Sequence, residues 1–270
     1  MREANKAITR EKHLAPTIDD LIADLNGATH FITLDLSLGY HQLELWPKSR
    51  FITTFSTHVG LRRYKRLPFG INAASEVFPE SIKELLTGLP GCNNISDDII
   101  VFGKGKDEHD RNLRVVLQRL HDNNLRLNKD KCLFSKFEVS FYGHIFSSSG
   151  IKPDPKKVEA IHNASLLQNA SDVKSLLGMT QYVSRFIPKY ATIAAPLHFL
   201  TRQDTHSKWE QEEQKAVEEL EALVGDEVMS YFNPQKQTEI IVDASPVGLG
   251  GLLVQEGNVL GYARDRKSVV

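Results

Sequence analysis

NNISDDIIVFG, residues 93–103, is the stretch that decides the fold. Short apolar runs flank a polar tip, which is typical of two strands joined by a tight turn. Two adjacent carboxylates, Asp97 and Asp98, lie at that tip. A third, Asp35, lies inside the equally apolar stretch FITLDL, residues 31–36. Carboxylates in such surroundings must be paired, protonated or bound to a metal ion.

The two carboxylate positions permit two interpretations. Oxygen ligands without His or Cys pairs at ligand spacing indicate Mg²⁺ or Mn²⁺ and not zinc. Carboxylates from two strands that hold two such ions are what in-line nucleotidyl transfer needs. Alternatively, Asp97 and Asp98 form a solvated turn and Asp35 caps a strand end. Neither a solvated turn nor a strand-end cap explains why both carboxylate positions lie in the most apolar strands of the chain.

Composition excludes several classes of protein. The 270 residues are 41% hydrophobic and 25% charged, which excludes a disordered or collagen-like chain and suggests roughly two domains. The two cysteines and the lack of a membrane-length apolar run indicate a soluble, intracellular protein without a membrane partner, in the cytoplasm or in a compartment that the sequence does not identify. Lys and Arg (33) nearly balance Asp and Glu (34), so net charge does not indicate a nucleic-acid partner.

Periodicity predicts an α+β chain. Helices are expected at 17–25, 72–87, 107–121, 154–163, 171–183 (capped by Ser171) and 207–224 (with a capping box from Ser207 and Glu210). Strand signals predict strand, turn, strand over 31–45, a β-rich stretch over 51–70, a hairpin over 93–103 and another over 238–255. The breaker cluster GIKPDPKK, residues 150–157, marks the first domain boundary.

Six motifs resemble one family. FITLDLSLGYHQLEL (31–45), YKRLPFGINAASEVF (64–78), NNISDDIIVFGK (93–104), LRLNKDKCLF (125–134), YGHIFSSSGIKPDPKKVEAI (142–161) and SLLGMTQYVSRFIPKYATIAAPL (175–197) follow the order and spacing of reverse transcriptases from gypsy-type LTR retrotransposons. The resemblance extends to about residue 256. It implies a palm with part of the fingers over 1–150, a helical thumb and connection over 151–205, and the truncated start of a ribonuclease H-like α/β domain over 206–270.

The resemblance also implies site residues. Asp35, Asp97 and Asp98 match the catalytic carboxylates that bind two Mg²⁺ ions, with Mn²⁺ as a substitute. The nucleotide-binding residues would be Leu36 and Ser37 (the turn whose N–H groups face the triphosphate), Tyr40 (the gate that excludes a 2′-hydroxyl), and Phe69 and Gly70 (near the template base). Without the family, Tyr40 reads equally well as a core aromatic. Ile95 replaces the tyrosine of the usual Tyr-x-Asp-Asp signature.

The implied partners are an RNA or DNA template–primer, deoxynucleoside triphosphates and the remainder of a Pol polyprotein. Two basic stretches would contact the template–primer: Arg62, Arg63, Lys65 and Arg66 around Tyr64, which otherwise read as a solvated loop, and residues 126–136. Asp243 matches the first acidic residue of the ribonuclease H-like domain, or is a plain strand residue. The function expected is RNA-directed DNA synthesis; the alternative is a non-catalytic remnant that at most binds nucleic acid.

Overall fold

Helices form where apolar side chains recur every three or four residues, and strands form where β-branched and aromatic residues cluster. The helices are α1 (Arg2–Lys6), α2 (Ile18–Asp24), α3 (Ala74–Leu86), α4 (Lys106–Asp122), α5 (Pro155–His162), α6 (Ala170–Val183), α7 (Tyr190–Ile193), α8 (Ala195–Leu200) and α9 (Gln211–Leu223). The strands are β1 (His30–Asp35), β2 (Phe55–Thr57), β3 (Gly60–Arg62), β4 (Cys92–Ile95), β5 (Asp98–Gly103), β6 (Leu133–Lys136), β7 (Glu138–Phe141), β8 (His144–Ser147), β9 (Gly150–Pro153), β10 (Thr238–Ser245), β11 (Gly248–Gln255) and β12 (Asn258–Arg266).

These elements belong to a computed structural model that describes residues 2–10, 18–164, 169–201, 209–225, 228–245 and 248–266. Contacts divide the chain into two units, Met1–Val139 and Ser140–Val270. Mixed helices and antiparallel sheets confirm the α+β class. Within the described ranges, no helix combines the length and the apolar character needed to cross a bilayer.

The first unit is organised around one antiparallel sheet with the strand order β4-β5-β1-β6. Ile99, Ile100 and Val101 of β5 are all completely buried, which requires cover on both faces of the sheet. Phe78 of α3 and Leu120 of α4 are buried in the cluster that packs on one of these faces. Burying each such side chain contributes about 1.5–3 kcal/mol. This core fixes the strand ends that carry the carboxylates.

The hairpin predicted over 93–103 is confirmed as β4 and β5, but the second strand predicted within 31–45 does not form. The chain instead makes a turn and a short 3₁₀ helix, Gly39–Gln42. Leu38 has a left-handed φ of 53°, and the His41 N–H donates to the Leu38 carbonyl at 2.8 Å. The prediction was wrong because tertiary packing overrides the local strand preference here: the first residue of that helix, Gly39, is pressed against an aromatic ring of α3.

The β-rich prediction for residues 51–70 is confirmed only for β2 and β3. These short strands pair from Phe55↔Arg62 to Thr57↔Gly60. The chain before them forms a 3₁₀ turn at Arg50–Thr53. The region is therefore a small two-stranded hairpin with exposed side chains and not a longer sheet.

Apart from the first two residues of β7, the second unit contains the described three-stranded sheets β7-β8-β9 and β10-β11-β12, together with helices α5 to α9. The hairpin predicted over 238–255 is confirmed, since β10 and β11 pair from Thr238↔Gln255 to Ser245↔Gly248. Helices α5 and α6 confirm the predictions at 154–163 and 171–183.

Two predicted helix caps differ from those observed. Asn169, and not Ser171, caps α6, because its side-chain oxygen accepts from the backbone N–H groups of residues 171 and 172. For α9 the capping box is formed by Glu210 and Glu213, whereas Ser207 lies outside the described residues. In both cases a side-chain oxygen of a nearby residue accepts from the free N–H groups of the first helical turn. The kind of cap is therefore predictable from the sequence, but the residue that forms it is not.

Candidate active site

The pairing of β1 with β5 places two of the predicted carboxylates opposite each other. The strands are antiparallel, and their register pairs Asp35 with Asp98. Directly opposed residues of an antiparallel pair point to the same face, with Cβ atoms about 4.5–5.5 Å apart. Two carboxylates that are distant in the sequence are therefore neighbours at one end of the sheet.

The third carboxylate reaches this end through a tight turn. Ile95 pairs with Asp98, which leaves Ser96 and Asp97 as a two-residue loop. Ser96 has a positive φ of 58°, a conformation that such hairpin loops require. The Asp97 Cβ lies 3.6 Å from the position that a Cβ on Gly39 would occupy. Asp97 is thus beside the turn that follows β1.

The three carboxylates interact electrostatically. Burial raises the pKa of the Asp98 carboxyl, and the charges of Asp97 and Asp35 raise it further, whereas Lys131 lowers it. The Lys131 Nζ lies 3.4 Å from Asp35 Oδ2. Sequence reasoning had placed residue 131 only in a basic stretch expected to face nucleic acid, because its contact with Asp35 depends on long-range folding.

This carboxylate edge fits a divalent cation by its donor chemistry. In the part of the chain that the structure describes, no three His, Cys, Asp or Glu side chains are clustered as a metal site requires. The carboxylate edge is therefore not a preformed metal cage. Its donors are all carboxylate oxygens, which hard cations such as Mg²⁺ and Mn²⁺ prefer. Burial first, and then the charges of Asp97 and Asp35, raise the Asp98 pKa, and a bound cation relieves repulsion of the second kind.

The turn after β1 has two free backbone donors, although not where they were expected. Leu36 is buried, and the Ser37 N–H donates to the Arg126 carbonyl at 2.9 Å. The N–H groups of Leu38 and Gly39, by contrast, donate to no acceptor among the described residues. Successive free N–H groups in a turn are a favourable site for an anion. The donors of this turn thus lie one or two residues beyond the predicted pair.

Tyr40 lies between two aromatic rings. Its ring centroid is 5.3 Å from that of Phe78 in an edge-to-face arrangement and 5.2 Å from that of Phe69. Tyr40 is half-buried, whereas Phe69 is 57% exposed. Phe78 supports the tyrosine from the core side. The exposed Phe69 leaves an aromatic surface beside it that a flat ligand could contact.

The Phe69–Gly70 loop is held by the N-terminal segment. The Asn5 side-chain amide donates to the Gly70 carbonyl at 2.9 Å and accepts from the Asn72 N–H at 3.0 Å. Gly70 has a positive φ of 86°, which favours glycine. Sequence reasoning missed Asn5, because nothing in a short polar helix indicates which loop it contacts.

The four basic residues of the first basic stretch divide into two groups. Arg62, Arg63 and Lys65 are exposed at and after β3. Arg66 instead donates to the Gln42 carbonyl at 2.9 Å and pairs with Glu44 at 3.4 Å. All four cations therefore face solvent, and Arg66 in addition ties the chain after β3 to residues 42–44.

Asp243 lies far along the chain in β10, where its backbone pairs with Gly250 of β11. It belongs to the second unit, whereas the carboxylate edge belongs to the first.

Family models match both ends of the chain. Residues 1–146 match the model described as reverse transcriptase (RNA-dependent DNA polymerase). Residues 209–263 match the RNase H-like domain found in reverse transcriptase. Members of the first family are generally divalent-metal dependent.

Curated relatives are Pol polyproteins. The chain is 34% identical over 265 residues to the retrovirus-related Pol polyprotein from transposon 297 of Drosophila melanogaster, covering 97% of this chain and 25% of that protein. It is 32% identical over 271 residues to the corresponding polyprotein from transposon gypsy of the same species, covering 95% of this chain and 26% of that protein. The chain thus spans about a quarter of the length of these relatives.

Solved structures share the fold. The foamy viral protease-reverse transcriptase in complex with double-stranded DNA matches with a TM-score of 0.88 at 22% identity, covering 99% of this chain and 48% of that one. The same type of protein in complex with an RNA/DNA hybrid matches with a TM-score of 0.85 at 22% identity, over 99% and 37%. With the family model matching residues 1–146, these findings show that the chain belongs to the reverse transcriptase (RNA-dependent DNA polymerase) family, among the Pol proteins of gypsy-like LTR retrotransposons.

Proposed function

We propose that this chain is the polymerase module of a longer retrotransposon Pol polyprotein and catalyses RNA-directed DNA synthesis inside the cell. It would add deoxynucleotides to a primer 3′ hydroxyl that is paired with an RNA or DNA template. The observation that carries the proposal is the placement of Asp35 opposite Asp98, with Asp97 in the adjoining turn, on a reverse transcriptase fold.

Asp35, Asp97 and Asp98 would hold two Mg²⁺ ions, for which Mn²⁺ could substitute. When bound, the ions supply the Lewis acidity that activates the primer hydroxyl and balances the charge of the triphosphate. The protein's own contribution is to keep three carboxylates at one rigid strand end, since the core around Ile99 fixes the β1–β5 register. Lys131 holds Asp35 in place from the solvent side.

The turn after β1 would bind the incoming nucleotide. The free N–H groups of Leu38 and Gly39 would donate to the triphosphate, in place of the Leu36 and Ser37 donors expected from the sequence. Tyr40, supported by Phe78, would lie under the sugar and exclude a 2′-hydroxyl. Phe69 and Gly70 would approach the template base.

The template–primer would contact the exposed cations Arg62, Arg63 and Lys65 of the first basic stretch. Aromatic rings lie among them, because Phe55 and Tyr64 are in contact with their ring centroids 5.2 Å apart. Basic side chains interleaved with exposed rings suit a nucleic-acid strand, whose phosphates and bases they contact respectively.

The domain assignment remains part of this proposal: palm and partial fingers over 1–150, thumb and connection over 151–205, and a ribonuclease H-like part over 206–270. Asp243 would be an acidic residue of that last part. The family model over residues 209–263 supports the last assignment.

Primer extension on an RNA template with Mg²⁺ tests the proposal. The chain should extend a DNA primer, and the double variant Asp97→Asn with Asp98→Asn should not, because it keeps the shape of both side chains and removes their charge. A matched control, Asp107→Asn with Glu108→Gln in the first turn of α4, should extend as the parent does. Template binding without extension by the parent would contradict the proposal and favour a non-catalytic remnant.

A further inference from the structure

We infer that Arg126 is a further phosphate-binding residue of the nucleotide site, and that the side-chain amide of Gln42 positions it. The inference rests on the proposed function, whose nucleotide-binding turn lies beside Arg126. The sequence predicts that residue 126 contacts the template–primer backbone, whereas its backbone bonds to the turn after β1 favour a role at the nucleotide.

The backbone pairing places Arg126 next to the turn. Leu36 and Leu127 form an antiparallel bridge, the Ser37 N–H donates to the Arg126 carbonyl at 2.9 Å, and the Asn128 N–H donates to the Asp35 carbonyl at 2.9 Å. Residues 35–37 are therefore paired with residues 126–128 in register. This extends β1 to the edge of the carboxylate site.

Strand alternation gives the direction of the Arg126 side chain. Leu36 is buried, and Leu127 packs against the same core cluster. Successive side chains of a strand point to opposite faces, and directly paired residues point to the same face. Ser37 and Arg126 are consequently on the face opposite the leucines, which is the face of Asp35.

Gln42 fixes this pairing with a fully used amide. Its Nε2 donates to the Ser37 carbonyl at 2.6 Å and to the Arg126 carbonyl at 2.9 Å. Its Oε1 accepts from the Arg126 N–H at 2.6 Å. One side chain thus ties the nucleotide-binding turn to the backbone of residue 126 from both sides.

The Arg126 guanidinium is available to a ligand. Arg126 is exposed, and within the described residues its guanidinium makes no ion pair or hydrogen bond; only its backbone is engaged. Lys131, by contrast, is already paired with Asp35. A guanidinium donates two parallel hydrogen bonds to a phosphate, and the adjacent N–H groups of Leu38 and Gly39 are the complementary neutral donors. This combination fits a polyphosphate, because the two backbone donors are successive residues of one turn and Arg126 is hydrogen-bonded through its backbone to Ser37 of the same turn.

Steady-state primer extension with varied deoxynucleotide concentration tests the role of Arg126. Arg126→Ala should raise the KM for the nucleotide about tenfold or more, the size expected for losing charge-assisted hydrogen bonds, with the template–primer Kd unchanged. The nucleotide KM of Arg126→Lys should lie between those of the parent and Arg126→Ala, because an ammonium group keeps the charge but cannot donate two parallel hydrogen bonds as a guanidinium does. Arg111→Ala, an exposed arginine of α4, is the matched control and should leave both constants unchanged. A weaker template–primer Kd with an unchanged nucleotide KM would overturn the inference and make Arg126 a nucleic-acid contact.

Gln42→Met tests the positioning role, because methionine has nearly the same length and no amide. It should raise the nucleotide KM. In the double variant with Arg126→Ala, the fold increase in this KM should be smaller than the product of the two single increases, since both changes act on the same contact. Gln118→Met, which removes an exposed amide bonded to Asp122, is its control. Fully independent effects would show that Gln42 does not act through Arg126.

Direct binding of inorganic tripolyphosphate, measured by calorimetry, separates this inference from the proposed function. Loss of binding in Arg126→Ala but not in Arg111→Ala supports the inference even for a protein that extends no primer. A parent that extends primers, with Arg126→Ala identical to it in nucleotide KM and tripolyphosphate binding, overturns the inference and leaves the proposed function standing.

Discussion

Asp35 and Asp98 are direct partners across the antiparallel pair of β1 and β5, so two carboxylates share one face of the sheet. Burial, and then repulsion by Asp97 and Asp35, destabilise the charged form of Asp98 in the folded protein, and the raised pKa of its carboxyl expresses this. The charged carboxylate of Asp98 therefore costs folding stability when no cation offsets its charge.

Asp98→Asn should stabilise the cation-free protein at neutral pH. Because folding raises the Asp98 pKa above its usual 3.8, the charged carboxylate costs stability above the folded-state pKa, and this cost disappears as the pH falls below the unfolded-state value. The difference in Tm between Asp98→Asn and the parent should therefore be positive at pH 7 and vanish near pH 3–4, within about one unit. Thermal unfolding in EDTA at several pH values measures it.

The control for this change is Asp107→Asn in the first turn of α4, where a negative charge favours the helix. It should lower stability by about 0.3–1 kcal/mol. Added Mg²⁺ should raise the Tm of the parent more than that of Asp98→Asn. A less stable Asp98→Asn protein at pH 7 would show that the carboxylate is not under electrostatic strain.

Tyr40→Ala should weaken discrimination against ribonucleotides. The tyrosine ring packs edge-to-face on Phe78, so its removal opens space at the proposed sugar position without changing any charge. The ratio of kcat/KM for deoxynucleotide over ribonucleotide should fall about tenfold or more, a size typical for losing a steric filter. Tyr40→Phe should retain the parent's ratio. If Tyr40→Ala keeps the ratio while losing stability, Tyr40 is a core aromatic only.

The sequence predicted local structure better than the relations between distant segments. The hairpin of β4 and β5 follows from two short apolar runs around a two-residue turn, all within residues 93–103. The opposition of Asp35 and Asp98 depends on strand pairing over a long separation, which periodicity does not encode. Likewise, the bonds from Gln42 to residue 126 and from Asn5 to residue 70 join polar side chains to remote backbone groups, and no local pattern marks them.

The 3₁₀ helix at residues 39–42 shows that a distant contact can also override a local preference of the sequence. Its sequence favours a strand, and the prediction failed because Gly39 is confined by the ring of Phe78, which lies on a helix far along the chain. The positive φ of Leu38 that starts this turn was equally unexpected, since leucine seldom adopts it. The turn after β1, which is proposed to bind the nucleotide, thus owes its shape to packing and not to turn-forming residues.

Ser96→Val should destabilise the protein, because a β-branched side chain tolerates the left-handed region less well than serine does. Ser96 has a φ of 58° between the paired residues Ile95 and Asp98, and a β-branched side chain tolerates this conformation poorly. Ser96→Gly should be more stable than Ser96→Val by about 1–2 kcal/mol or more, because glycine avoids the cost of a Cβ in the left-handed region. Urea unfolding measures both. Ser56→Val in β2 is the control and should cost nothing, because strands favour valine.

Gly143→Ala should destabilise the second unit more than Gly257→Ala, although both glycines have a positive φ. At Gly143 a Cβ would lie 2.7 Å from the ring and hydroxyl of Tyr182, whose hydroxyl donates to the Tyr142 carbonyl. At Gly257 a Cβ would meet nothing within 4 Å, so only the backbone strain of about 1 kcal/mol remains. The additional clash at Gly143 should bring its cost to about 2–4 kcal/mol.

Urea unfolding of the two alanine variants and of the double variant Gly143→Ala with Tyr182→Ala measures this difference. Removing the ring should recover the part of the cost that comes from the clash and leave the part that comes from φ, so the two changes should be coupled in a double-mutant cycle. Equal costs for Gly143→Ala and Gly257→Ala, or strictly additive effects at residues 143 and 182, would show that the ring does not confine this turn.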